Sequence, residues 1–170
     1  SIAGMTLTFT ASATAPNLHL AFLTQPSNGT GGTPIAPAVQ VAVEDASNLT
    51  VTAATTIVTL AIAGGTGAAG ATLIGTTQVA AVNGVATFTN VSVDKLGTGY
   101  QLAASATAVA GATSATFNVT LGAASRLVFT APPPNGTAGT SLGTITVSVG
   151  DAGGNVVTSA TNSITVALGG

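Results

Sequence analysis

Apolar and polar residues alternate along most of this chain. Leu18, Leu20 and Phe22 are separated by His19, Ala21 and Leu23, which is the period-two spacing of a strand buried on one face. A Pro-Ser-Asn-Gly turn follows, and Val39, Val41 and Val43 then form a second inward row that ends at Asp45-Ala46-Ser47-Asn48. The short polar side chains of that tetrapeptide can bond the local backbone and reverse the chain. Val58, Leu60 and Ile62 supply a third row, a glycine-rich turn spans Gly64 to Gly70, and weaker strand signals lie around Thr72 to Ile74 and Gln78 to Val82. Asn83-Gly84 predicts a tight hairpin. Beyond it Ala86 and Phe88, then Val91 and Val93, then Tyr100, Leu102 and Ala104 can all point inward. The change of phase between Phe88 and Val91 predicts a bulge or bend. Asp94-Lys95-Leu96-Gly97 reads as a turn, and Thr113 to Leu121 reads as a closing strand with Ala115, Phe117 and Val119 inward. Helical periodicity is absent. Seven or eight short strands with a turn every ten or so residues predict an all-β, two-sheet sandwich.

The pattern occurs more than once. Leu20 to Thr33 reads LAFLTQPSNGTGGT and Leu127 to Thr140 reads LVFTAPPPNGTAGT, so at a shift of 107 residues eight of fourteen positions are identical. Ile145, Val147, Val149 and Asp151 match Val39, Val41, Val43 and Asp45 at a shift of 106, as Ile164, Val166 and Leu168 match Val58, Leu60 and Ile62. At the other end Met5, Leu7, Phe9 and Ala11 alternate with Thr6, Thr8, Thr10 and Ser12, like the strand that precedes the second copy. The expected organisation is therefore residues 1–15 as the closing strand of an upstream module or a donor strand, residues 16–121 as a complete module, and residues 122–170 as the first half of a second. Ala15-Pro16 and Gly122-Ala123 are the junctions, too short to act as flexible linkers. A half sandwich exposes an apolar face and an open strand edge, so something outside residues 122–170 is expected to cover it.

Composition changes the picture of the surface. Only Glu44, Asp45, Asp94, Lys95, Arg126 and Asp151 are charged, where an average chain of this length carries about forty such residues. Ala, Thr, Gly and Ser make up 98 of the 170 residues. A nearly uncharged surface associates readily, because little repulsion keeps molecules apart. The net charge of −2 offers no basic patch, which argues against nucleic acid and anionic lipid as partners. The apolar runs are short and broken by Thr or Gly, so no membrane span is expected. Cysteine is absent, which removes disulfides, thiolate chemistry and Cys-based metal sites. The acceptor pattern Asn-x-Ser/Thr occurs at Asn28, Asn48, Asn90, Asn118 and Asn135, making these the candidate N-glycosylation sites of an extracellular chain, with turn chemistry as the plainer account.

LAFLTQP and LVFTAPP, VAVEDASNLTVT and VSVGDAGGNVVTSAT, TLAIAGGTG, and AVNGVATFTNVSVDKLGTGYQL together resemble the bacterial immunoglobulin-like repeats of large cell-surface proteins, the invasin and intimin type among them. The resemblance covers most of residues 18–170. It implies tandem immunoglobulin-like β-sandwich modules used as stalks, adhesins or extracellular fibres, without catalysis or cofactors. The cysteine-tryptophan-cysteine core of antibody domains is missing. The expected function is a structural extracellular or cell-surface protein, a stalk or filament subunit whose partner is itself, assembling by module packing and strand addition between copies. The alternative is an adhesin or carbohydrate-binding module with a cell-surface or glycan ligand. One Tyr, one Arg and no Trp weigh against that alternative, since such sites use exposed aromatics and Arg.

Candidate chemistry is sparse. His19 is the only histidine, and its counterpart in the second copy is Arg126, an exchange that a catalytic or metal-binding role does not survive. Glu44, Asp45 and Asp151 could suggest calcium, but such a site needs six to eight oxygens, and turn formation accounts better for Asp45 and Asp151. Lys95 beside Asp94 in a turn reads as a solvated lysine and not as a partner in a Lys to Asn cross-link. No nucleophile and base pair can be assembled from these residues, so no catalytic, cofactor-binding or metal residue is expected. The pairs Gly31-Gly32, Gly64-Gly65 and Gly153-Gly154 fall between strands and are expected to serve tight reversals.

Overall fold

A computed structural model describes residues 17–167. The expected strand at residues 1–14, the junction at Ala15-Pro16 and Leu168 lie outside the described residues. Every regular element described is a strand. In chain order these are β1 (His19–Thr24), β2 (Gly29–Thr30), β3 (Val39–Glu44), β4 (Ile57–Ile62) and β5 (Leu73–Ile74). Next come β6 (Gln78–Ala80), β7 (Val85–Phe88), β8 (Ser92–Val93), β9 (Gly97–Tyr100) and β10 (Leu102–Ala106). The last four are β11 (Val109–Thr113), β12 (Phe117–Thr120), β13 (Arg126–Ala131) and β14 (Thr146–Gly150).

The architecture is all-β and sandwich-like. Seven strands follow one another in the order β6-β4-β10-β11-β1-β3-β7. The two outer members of that order are joined by the Asn83-Gly84 turn, where Asn83 has φ 50° and Gly84 φ 80° and Val82 and Val85 form an antiparallel bridge. The ribbon of strands thus curls back on itself around the core. A smaller sheet, β2-β12-β9, continues the wall at one end, and β5 pairs with β8. Strand β1 lies between β3, antiparallel to it, and β11, parallel to it with His19 opposite Ala110. Further along, β2 runs parallel to β12 with Thr30 opposite Thr120.

The rows read from the alternation do form the core. Val39, Val41, Val43, Val58, Leu60, Ala86, Phe88, Val91, Val93, Tyr100, Leu102 and Ala104 are all buried, and burial of each larger side chain contributes about 1.5–3 kcal/mol. Tyr100 and Phe117 pack with ring centroids 5.7 Å apart. The phase change after Phe88 is a bend at Thr89 and Asn90 that ends β7 and starts β8. One inward assignment fails: Ala115 is exposed and Ser114 is buried in its place. Ser114 accepts the Leu102 N–H at 2.9 Å and donates to the Ala115 carbonyl at 2.8 Å, and these bonds turn the chain between β11 and β12.

Residues 122–167 pack differently. The strands β13 and β14 pair antiparallel with Leu127 opposite Val149, as Leu20 stands opposite Val43 in β1 and β3. Among the described residues every fully buried apolar side chain lies between Leu20 and Val119. Leu127 and Phe129 are 56% and 54% exposed, whereas their sequence counterpart Leu20 is 3% exposed and Phe22 is half-buried. The expected row at Ile164 and Val166 forms no strand. Its counterpart β4 is held between β6 and β10, and no described strand stands in those positions beside residues 162–167. An isolated apolar alternation without cross-strand partners does not become a strand.

Candidate functional site

The most elaborate polar arrangement lies where the chain passes from β12 through Gly122 into β13. Its parts are built twice in the molecule. After β3, Asp45 Oδ1 accepts the Ser47 N–H at 2.8 Å and the Leu49 N–H at 3.1 Å. The Asp45 N–H donates to the Leu49 carbonyl at 3.0 Å, and Asn48 holds φ 60°. After β14 the same turn recurs: Asp151 Oδ1 accepts the Asn155 N–H at 2.9 Å, the Asp151 N–H donates to the Asn155 carbonyl at 2.9 Å, and Gly154 holds φ 92°. Short acids bonding their own backbone make such turns.

The two turns differ in their surroundings. The tip of the first, from Ala46 to Leu49, is exposed, whereas Asp151 is 0% exposed. Its Oδ2 accepts the Gly122 N–H at 3.1 Å, and the Asn155 Nδ2 lies 3.0 Å and 3.1 Å from its two oxygens. Asn155 Nδ2 also donates to the Asp94 carbonyl at 2.7 Å, and Asn155 Oδ1 accepts the Leu96 N–H at 3.4 Å. The Gly153 N–H donates to the Gly31 carbonyl at 3.0 Å. One turn of the second segment is thereby clamped to two loops of the first.

Glycines permit this approach. A Cβ at Gly31 would strike the Asn155 side-chain nitrogen, one at Gly153 would strike the Asp94 carbonyl oxygen, and one at Gly32 would strike the Ala152–Gly153 backbone. The expectation that these pairs serve tight reversals therefore holds for only part of them. Gly32 and Gly154 have positive φ, but Gly31 and Gly153 are needed for close contact between two segments.

Burial works to raise the pKa of Asp151, but the N–H groups of Gly122 and Asn155, the Asn155 side chain and the Gly153 N–H outweigh it and hold the carboxyl below its ordinary value. Charge-assisted bonds of this kind favour the ionised form. The carboxylate thus acts as an anion held by N–H donors, the surroundings of a structural hub. Asp94 is used similarly, its Oδ1 accepting the Thr72 N–H at 2.7 Å.

The receiving loop is itself braced. Tyr100 is buried and donates its hydroxyl to the Lys95 carbonyl at 2.9 Å. Its ring fills the space over Gly67 and Gly97, where a Cβ would collide with it. Lys95 Nζ reaches the Ala69 carbonyl at 3.2 Å, so the glycine-rich loop and the Asp94–Leu96 turn hold each other.

The remaining candidates are scattered. His19 is half-buried with Nε2 3.5 Å from Glu44 Oε2, and the strand pairing that places it opposite Glu44 places Arg126 opposite Gly150. Asn28 and Asn118 are wired into the fold: Asn28 Oδ1 accepts the Asn118 N–H at 2.7 Å and Asn118 Oδ1 accepts the Gly99 N–H at 2.9 Å. Asn90 exchanges bonds with the Thr76 N–H and hydroxyl. Asn48 stands exposed in a bend and Asn135 exposed in an irregular stretch. Among the described residues no three His, Asp or Glu side chains gather, and no helix is long and apolar enough to cross a membrane. Reading Asp151 as a turn residue missed its role as a junction hub. The signal was present in the differences between copies, since Ser47 becomes Gly153 and Leu49 becomes Asn155.

Comparison with known proteins returns no family model, no curated protein and no solved structure that matches this chain. The class that can be stated is that of an all-β, sandwich-like protein with a buried polar junction.

Proposed function

We propose that this chain is a structural extracellular protein, built from tandem immunoglobulin-like modules of about 107 residues that form a stalk or filament and perform no catalysis. The observation that carries the reading is the junction at Asp151. A short connection, a buried carboxylate and three close-packed glycines fix the turn after one module's second strand on the loops of the module before it, which is what an array under tension needs and an isolated binding domain does not. The twice-built Asp45 and Asp151 turns support the repeat, and the scarcity of charge suits a surface that packs against its own kind. The resemblance to bacterial cell-surface repeats points the same way.

Backbone 15N relaxation tests the proposal. A rigid junction makes β13 and β14 tumble with the axes and correlation time of β1–β12, and Asp151→Ala separates the two. Independent tumbling in the unsubstituted chain would remove the basis for the stalk.

A further inference from the structure

Residues 17–121 contain four Asn-x-Ser/Thr acceptors, and the fold treats one of them differently from the rest. Asn28 Oδ1 accepts the Asn118 N–H, and the hydroxyl of Thr30 in the same tripeptide donates to Thr33 at 3.0 Å. Asn118 Oδ1 accepts the Gly99 N–H, and the Thr120 hydroxyl donates to the Gly29 carbonyl at 3.2 Å. Asn90 is bonded through both side-chain polar atoms to Thr76, and Ser92 is buried. Asn48 stands exposed at the tip of the turn after β3. The bonds of that turn come from the Asp45 carboxylate and the backbone, and among the described residues neither the Asn48 amide nor the Thr50 hydroxyl takes part in one. We infer that Asn48 is the acceptor at which the folded sandwich takes an N-linked glycan from a lipid-linked oligosaccharide. The inference deepens the extracellular reading and rests on it for the compartment in which such a donor is met.

Turn chemistry accounts for only half of the tripeptide. Asn is one of the few residues that tolerates the φ of 60° found at position 48, since its short polar side chain bonds locally. A positive φ does not call for a hydroxyl two residues later. In the second copy the aligned residues are Gly154-Asn155-Val156, so the acceptor is absent from the turn that is docked, where a side chain at Gly154 would strike the Arg126 guanidinium.

The surroundings of Asn48 also suit a bulky polar cover. Val82 and Leu49, at 70% and 65%, are the two most exposed large apolar side chains among the described residues. Leu49 lies within the acceptor, and Val82 belongs to the hairpin whose Gly84 packs on Thr50 and Val51. A sugar chain standing on Asn48 shields both from a second molecule. In the transfer the Asn48 Nδ2 bonds to the anomeric carbon of the donor sugar. The bond from that carbon to the diphosphate oxygen breaks, the lipid diphosphate leaves with the electron pair, and the amide nitrogen gives up one proton to solvent.

Transfer to the folded chain in vitro tests the site apart from the compartment. With an oligosaccharyl transferase that accepts Asn-x-Ser/Thr and a lipid-linked oligosaccharide, glycopeptide mass spectrometry should find Asn48 modified about tenfold or more above Asn28, Asn90 and Asn118, which must first break bonds of the fold. Short peptides spanning each of the four acceptors should be modified alike. Thr50→Val, which keeps the shape and removes the hydroxyl, should abolish transfer to Asn48, and Thr50→Ser should retain it. A folded chain unmodified at Asn48 although its peptide is modified, or one modified equally at all four sites, would overturn the inference. Independent tumbling of β13 and β14 together with transfer at Asn48 would reject the stalk and leave the acceptor standing; a rigid junction with no transfer at Asn48 would do the reverse.

Discussion

Replacing Asp151 by Ala tests the junction most directly. The substitution removes the acceptor of the Gly122 and Asn155 N–H groups and one partner of the Asn155 side chain, in a place with no exposure at the acid. A buried donor left without a partner costs about 1–3 kcal/mol. Bifurcation of the Asn155 amide and the entry of water into the vacated space offset part of this, so a net loss of about 2–4 kcal/mol is expected. Under local-opening conditions that is a fall of about thirtyfold or more in amide protection. Hydrogen exchange read residue by residue should show it at Gly122, Gly153, Asn155 and Val157, with β3 and β10 unchanged. Asp151→Asn keeps one acceptor but turns an amide toward a donor, and should recover only part of the loss. The same change at Asp45 removes bonds in an exposed turn and should cost about 1 kcal/mol. Unaltered protection at Gly122 and Asn155 in Asp151→Ala would refute the hub.

Three further outcomes are expected. The carboxyl of Asp151 is held below its ordinary 3.8 in the folded chain, so its contribution is complete above that value and is lost as pH falls through the lower folded value; junction exchange should rise only below about pH 4, while the melting temperature stays nearly flat from mildly acidic to mildly basic pH. Gly153→Ala places a methyl on the Asp94 carbonyl and should weaken the junction by about 1–3 kcal/mol, visible as independent tumbling of β13 and β14 with the melting of β1–β12 unchanged. Tyr100→Phe removes the bond to the Lys95 carbonyl and should cost about 1 kcal/mol, lowering the melting temperature by about 2–6 °C and loosening the Asp94–Leu96 loop that receives Asn155.

The valine rows were legible because period-two burial is a local property, and the Asn83-Gly84 turn because its positive φ values demand such residues. Neighbours decided the rest. Ala42 and Ser92 are buried although the alternation places them outward. Ile164 and Val166 carry the pattern of a strand, yet no described strand pairs with them. Asp45 and Asp151 look alike in sequence and make the same turn, but only contact with Gly31, Asp94 and Gly122 turns one of them into a hub. That contact is long-range, and the only local trace of it is a pair of exchanges, serine to glycine and leucine to asparagine.

The parallel pairing of β1 with β11 and of β2 with β12 has a mechanical meaning. It ties His19 to Ala110 at one end and Gly29 and Thr30 to Val119 and Thr120 at the other, so that Leu18 and Gly122 lie at opposite ends of the paired run. Tension applied between Leu18 and Gly122 therefore pulls the two strands past each other, loading their hydrogen bonds in shear. Peeling, which breaks bonds one by one, is not available from these attachment points. A sandwich wired in this way yields only when both ends of the seam give, so its resistance to force is set by an unfolding barrier.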